Sequence, residues 1–219
     1  MIALLGAVST ICGLIIVTAD MVTAETIRNN LAQIRRQAVG EVLPGTTELV
    51  KYAVDADAGT VTEAPEGEAK GPAPNLFACF DEDGAGNRRF LGVVCEASGK
   101  GYGGAMKVLY AYSPDKQAIV GFKVIESKET PGLGDKILFD EAFLGNFEEL
   151  DVRLDEAGDA LAHDIETVKH GTKTARWQVD AISGATVSSR AVGDMLNADA
   201  RRMLPLIRRH LDELRQGGT

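Results

Sequence analysis

Residues 105–125 read AMKVLYAYSPDKQAIVGFKVI, and their reading decides the fold. Val108, Tyr110 and Tyr112 alternate with Leu109 and Ala111, and Phe122 and Val124 alternate with Gly121 and Lys123. Period-two alternation is the signature of strands, because successive side chains leave opposite faces of a pleated chain. SPDKQ between the two runs supplies the turn residues of a hairpin. Strands are therefore expected over Ala105–Tyr112 and Ala118–Ile125.

Working outward, Arg89–Ala97 reads as a third strand, preceded at residues 81–87 by a turn, DEDGAGN, that suits another hairpin. Residues 55–75, rich in Ala, Asp, Glu, Gly and Pro, read as a surface excursion. Downstream, Ile137–Phe147 reads as a short helix, residues 151–170 are polar and weakly patterned, and Trp177–Ile182 reads as a short strand. A long helical pattern then runs from Thr186 to about Arg215, with Leu204, Ile207, Leu211 and Leu214 on its apolar side and Pro205 expected to kink or divide it. The fold class expected is α+β: a mainly antiparallel sheet with flanking helices.

An N-terminal segment precedes this domain. Residues 1–19, MIALLGAVSTICGLIIVTA, carry no charge, and as a helix would extend roughly 28 Å, near the thickness of bilayer hydrocarbon. One transmembrane helix is expected there, although Val17-Thr18-Ala19 also resembles a signal-peptide cleavage site. From Ala24 to Val39, Ile27, Leu31 and Ile34 recur at helical spacing, and Gly40 and Pro44 are expected to end the helix. The organisation expected is a membrane anchor over 1–19, an amphipathic connecting helix over 20–44 and a folded domain over 45–219. Arg28, Arg35 and Arg36 follow the span and no basic residue precedes it; charge counting alone would place the domain in the cytoplasm.

The chain of 219 residues is 45% apolar and 25% charged, with net charge −9. That balance argues against nucleic-acid binding, which needs clustered Lys and Arg. Cys12, Cys79 and Cys95 form no CxxC pair, so no metal site is expected, and Cys79 and Cys95 are either bridged or two free thiols. His163, His170 and His210 are far apart and read as exposed or structural.

Three segments carry chemistry. GKGYGG, residues 99–104, fits the literal pattern of a dinucleotide loop, but a strand follows it where that loop needs a helix. Its glycines instead mark a close approach of backbone to something bulky, and Tyr102 either edges a cofactor or packs. ESKETPGLGDKI, residues 126–137, is a stiff turn that presents Leu133 between two glycines, to a planar ring or to its own core. DAISGATVSS, residues 180–189, ends a strand and starts the long helix. Free N–H groups of that helix, with hydroxyls from Ser183, Thr186, Ser188 and Ser189, would cradle a phosphate. An ordinary helix cap by Ser183 or Thr186 explains the same residues. Asp180, which repels phosphate, is left without a role by either reading.

DAISGAT resembles the D-x-x-[ST]-G-A-T flavinylation motif of the RnfG/NqrC family of FMN-binding domains, and ETPGLG resembles that family's second hallmark. The likeness extends over nearly the whole chain, and its compact length is closer to the RnfG branch than to NqrC. The resemblance implies FMN bound covalently by a phosphoester at Thr186. It implies Ser183, Gly184, Ala185, Val187 and Ser188 around the phosphate and ribityl end. It places Glu129, Thr130, Gly132, Leu133 and Gly134 along the isoalloxazine ring, with Lys173 and Tyr102 near the flavin. Asp180 would serve flavinylation by a separate flavin transferase.

The resemblance further implies an electron-transfer subunit of an Rnf-type ferredoxin:NAD+ oxidoreductase coupled to ion translocation, with no independent catalytic site. Its partners would be RnfA, RnfB, RnfC, RnfD and RnfE and the lipid membrane. It implies a single-pass protein of the inner membrane with the FMN domain on the periplasmic side, against the arginine count. An NqrC-like subunit of the Na+-translocating NADH:quinone oxidoreductase is the alternative within electron transfer. A membrane-anchored domain that binds a phosphorylated ligand without redox work is the alternative from another class.

Overall fold

The computed structural model describes residues 35–64, 75–83 and 86–217, together with single positions among the first 23. The chain divides into two compact units, Met1–Ala38 and Val39–Thr219. In the first unit the positions described before residue 24 are helical, and Leu14, Ile16 and Val17 are exposed. The expected transmembrane span lies largely outside the described residues; among the described residues no helix is long and apolar enough to cross a membrane. Most of the expected amphipathic helix is likewise outside them. Its end does not fall at Gly40: helical backbone continues to Val42, since one glycine costs a helix only about 1 kcal/mol.

The second unit is α+β, as expected. Six strands run in sequence: β1 (Glu48–Asp55), β2 (Thr60–Glu63), β3 (Leu76–Glu82), β4 (Arg88–Lys100), β5 (Ala105–Ser113) and β6 (Ala118–Ser127). With β7 (Leu150–Asp151) they form one antiparallel sheet in the order β2-β1-β3-β4-β5-β6-β7. The three strands read from sequence are β4, β5 and β6, joined as expected by hairpins. The stretch read as a surface excursion contains β2, whose residues are mostly exposed.

Along Val108–Tyr112 every side chain is buried, not every second one. Both faces of the central sheet are covered, which fills both halves of the alternation. One face packs against the long helix Thr186–Arg209, through Tyr110, Val108 and Cys95 on the sheet and Val192, Leu196, Ala200, Met203 and Ile207 on the helix. Val42 and Leu43 approach the other face: a Cβ on Gly121 would fall on the Val42 carbonyl oxygen, and one on Gly92 would meet Leu43 at 3.6 Å. Cys79 and Cys95 are both buried free thiols, and burial pushes the Cys79 thiol up to about 12.

Two helix expectations need correction. Residues 134–147 form no single helix but a 3-10 turn Gly134–Leu138, a short helix Glu141–Leu144 and a second 3-10 turn Gly145–Phe147. The break arises at Asp140, whose carboxylate caps the short helix by accepting from the Phe143 N–H at 2.9 Å. Pro205 does not divide the long helix, which continues to Arg209 and gives way at His210 to a terminal helix Leu211–Gln216. Met203, Leu204, Leu206 and Ile207 are buried around the proline, and their packing offsets its missing backbone bond.

Outside the main sheet, β8 (Glu166–Val168) and β9 (Gln178–Asp180) pair in parallel. They deliver Asp180 to the start of the long helix.

Candidate functional site

The 180–189 segment is built as a turn that launches a helix. After β9, Ala181 and Ile182 are buried and Ser183-Gly184 turn the chain, with the Ala185 N–H donating to the Ile182 carbonyl at 3.1 Å. Gly184 has φ +80°, the left-handed value that the third residue of such a turn requires and that favours glycine. The long helix starts at Thr186, and its N-cap is Ala185, which offers no side-chain hydrogen bond. Neither Ser183 nor Thr186 caps it, contrary to that reading of the sequence. The N–H groups of the first turn therefore face outward without a helical acceptor, at the positive end of 24 residues of aligned peptide dipoles.

The four hydroxyls of the segment divide by direction. Ser183 and Thr186 are exposed, and the Thr186 hydroxyl has only a long contact of 3.4 Å to the Ile182 carbonyl. Ser189 is fully buried, donating to the Ala185 carbonyl at 2.9 Å and accepting from the Ile182 N–H at 3.0 Å. Ser188 is buried and donates to Glu129 at 2.8 Å. Two hydroxyls fix the turn from inside, and two are offered to a ligand.

The TPGLG loop and the GKGYGG loop meet this helix start through Glu129. The Glu129 carboxylate is buried beside Ser188, and its other oxygen accepts from the Gly103 N–H at 3.2 Å. Gly134 is buried against both side chains. Thr130 is spent within the loop: its carbonyl accepts from the N–H groups of Leu133 and Gly134. Gly132 takes φ +77° at the loop's tip. Leu133, Phe139, Val187 and Tyr102 are all exposed, Tyr102 by 74%. Exposed apolar side chains are informative where they gather, as Tyr102 and Val187 do along one groove.

Two grooves flank Thr186 in sequence. One, of about 650 Å³, has Tyr102, Val187, Arg190 and Asp199 on its walls. The other, of about 330 Å³, is lined by Lys136, Phe139, His170, Asp180 and Ser183. Tyr102 thus shares a groove with Val187, while Ser183 shares one with Asp180.

Asp180 is held in place. Both its oxygens accept from the Gly171 N–H, at 2.8 and 3.0 Å, and His170 Nδ1 lies 3.7 Å away. Lys173 donates to the Asn146 side-chain oxygen at 3.0 Å; burial lowers the lysine's pKa, and the Asp180 charge opposes that shift. Asn146 is the residue that sequence reasoning missed. Its buried amide accepts from the Asp180 N–H at 3.0 Å and donates to the Asp180 carbonyl at 3.2 Å, while also holding Lys173. It lies 34 positions before Asp180 in a segment read as plain helix, where no local signal marks it.

Among the described residues no cluster of His, Cys, Asp and Glu is suited to hold a metal ion. An exposed threonine hydroxyl, uncapped N–H groups, an exposed glycine with nothing over it and neighbouring exposed apolar side chains do suit a phosphate ester that carries a flat apolar ring.

Comparisons with known proteins show the family and the fold. The FMN-binding domain family matches residues 101–200. The G subunit of the ion-translocating oxidoreductase complex of Methanosarcina acetivorans is 33% identical over 167 residues, 76% of this chain and 73% of that protein. The protein of the same name from Cereibacter sphaeroides is 32% identical over 218 residues, 96% of this chain and 84% of that protein. Among solved structures, Shewanella oneidensis NqrC has a TM-score of 0.57 at 23% identity, covering 78% of this chain and 85% of that one. The C subunit of the Na+-translocating NADH-quinone reductase of Parabacteroides distasonis has a TM-score of 0.53 at 22% identity, covering 74% and 78%. These two likenesses are of fold.

Proposed function

This chain belongs to the G-subunit family of ion-translocating oxidoreductase complexes, and from that premise we propose that it is an electron-transfer protein of such a complex, with FMN held as a phosphoester on Thr186. The observation that carries this reading is the Thr186 hydroxyl, exposed at the uncapped start of a long helix inside the sequence DAISGAT. When bound, FMN supplies the electron-transfer chemistry, and the protein supplies attachment, orientation and electrostatics. The first-turn N–H groups and the Ser183 hydroxyl would hold the phosphate. Gly184 and Ala185 leave the backbone open to it. Leu133 would give the ring an apolar wall, and Val187 would line the ribityl end. Lys173, on its Asn146 support, would supply a cation to the flavin, and Tyr102 would supply an aromatic wall.

Asp180 serves maturation in this reading. Its carboxylate is fixed on Gly171 three residues before Ser183, and would assist a flavin transferase that acts on Thr186. The partners are the other Rnf proteins and, through the apolar residues 1–19, the lipid of the inner membrane, with the flavin domain on the periplasmic side. Exposure of Leu14, Ile16 and Val17 supports that anchor.

The test is direct. The chain produced together with a flavin transferase, denatured and run on a gel, should fluoresce as a flavoprotein, with an intact mass raised by one FMN. Thr186→Val should abolish both signals. A Thr186→Val chain that keeps covalent flavin overturns the attachment.

A further inference from the structure

We propose that Glu129 is a positioning residue: its buried carboxylate clamps both glycine-rich loops to the first turn of the long helix, and so fixes how Thr186 is presented. The proposal rests on the flavin-carrier reading and gives Glu129 a task other than touching the ring. Glu129 is 8% exposed, and both its oxygens are occupied. One takes the Gly103 N–H from the β4–β5 connection, and the other takes the Ser188 hydroxyl from the helix. Its own N–H is fixed by the Ser127 hydroxyl at 3.2 Å. Three segments distant in sequence thus share one side chain.

The glycines around it follow from its bulk. A Cβ on Gly101 would fall on one carboxylate oxygen, and a Cβ on Gly134 would fall on the other and come within 2.6 Å of the Ser188 oxygen. A Cβ on Gly103 would strike the Lys128 carbonyl, next to Glu129. Two of these glycines, in two motifs, are therefore explained by one buried anion. Among the described residues the carboxylate makes no ion pair, so amide and hydroxyl donors alone hold it. Hydrogen bonds to a charged group in such a setting are stronger than neutral ones, and removing one partner leaves the other unsatisfied. Ser188 stands two residues from Thr186, so the clamp acts on the very turn that bears the attachment hydroxyl.

The experiment compares Glu129→Ala, Glu129→Gln and Ser188→Ala in the full chain, by amide hydrogen exchange without flavin and by the rate of covalent flavin incorporation with a transferase and FAD. Glu129→Ala should speed exchange at Gly103 and slow incorporation, each by about tenfold or more, the equivalent of one charged hydrogen bond. Glu129→Gln keeps an acceptor for Gly103 and gains a donor for the Ser188 oxygen, and should restore both readouts to within about threefold of the parent. Ser188→Ala removes one bond of the clamp and should slow incorporation several-fold, which keeps the test open if Glu129→Ala does not fold. Glu129→Ala or Ser188→Ala at parental exchange and incorporation overturns the clamp. So does Glu129→Gln as impaired as Glu129→Ala, because an amide of the same shape keeps the Gly103 acceptor and should hold most of the clamp. A parent chain that never acquires flavin would sink the carrier reading instead, while exchange at Gly103 would still decide the clamp.

Discussion

Replacing Gly193 with alanine should destabilise the protein, although helix propensity alone predicts the reverse. Gly193 lies inside the Thr186–Arg209 helix, where alanine is favoured over glycine by about 1 kcal/mol. A Cβ there, however, would lie far under 3.0 Å from the hydroxyl oxygen of Thr167 on β8. Thr167 is β-branched and stiff at χ1, so the overlap is relieved only by moving helix or strand, at about 1–3 kcal/mol. The net expectation is a loss of about 1 kcal/mol, or a melting temperature about 2–4 °C lower for a chain of this length. The Thr167 hydroxyl is buried without a hydrogen-bond partner, so Thr167→Ala sacrifices no hydrogen bond and costs only its methyl group, about 1 kcal/mol. In the Gly193→Ala/Thr167→Ala double variant the overlap vanishes and the helix gain remains. The coupling energy should therefore be favourable by about 2 kcal/mol, well beyond additivity. Urea unfolding of all four proteins, at unchanged m-values, measures it. Since β8 pairs with the strand that ends in Asp180, flavin incorporation should fall in the single glycine variant and return in the double. Gly193→Ala melting above the parent, or effects that simply add, would refute the close approach.

Three further outcomes are expected. Burial raises the pKa of Asp199, opposed by its bond from the Tyr110 hydroxyl at 2.8 Å and by the Arg202 charge. The folded state then holds that proton more tightly than the unfolded chain, so stability falls as pH rises from the unfolded carboxylate value through the folded one; urea midpoints of Asp199→Asn across that range should lack this fall. Gly184→Ala has open space around it but must hold φ +80°, and should cost about 1–2 kcal/mol in thermal unfolding. Asp180→Asn should fold and melt as a cooperative unit yet lose most in-gel flavin fluorescence; full flavin stoichiometry would remove Asp180 from maturation.

Legibility in the sequence tracked how locally each feature is determined. The β4–β5–β6 hairpins were readable because their turns and alternation lie within neighbouring residues. β1, with Glu48, Lys51 and Asp55 breaking its apolar run, and the exposed β2 look like loop, because ladders, β1 to β3 and β2 to β1, and not their own composition make them strands. β9 falls within the short strand read at Trp177–Ile182, but its parallel partner β8, 12 residues earlier and three residues long, is too short to show a period. At the site, the hydroxyl-rich run was plain but its geometry was not. Ser188 and Ser189 face inward because the helix rotates about 100° per residue, a direction that appears only once the helix start is known. Asn146 and Asp180 are joined by tertiary contact alone.

The exposure of Thr186 bears on the order of events in the cell. The buried core lies between the sheet and the long helix, and its members are side chains of the protein itself. In the proposed carrier, folding would therefore come first and the flavin second. If Thr186 carries the flavin as proposed, a transferase would meet a finished surface on which residues 180–186 are already shaped, and an empty folded chain could still be loaded. Synthesis and loading would then be separate steps, and the fraction of loaded chains would follow flavin supply.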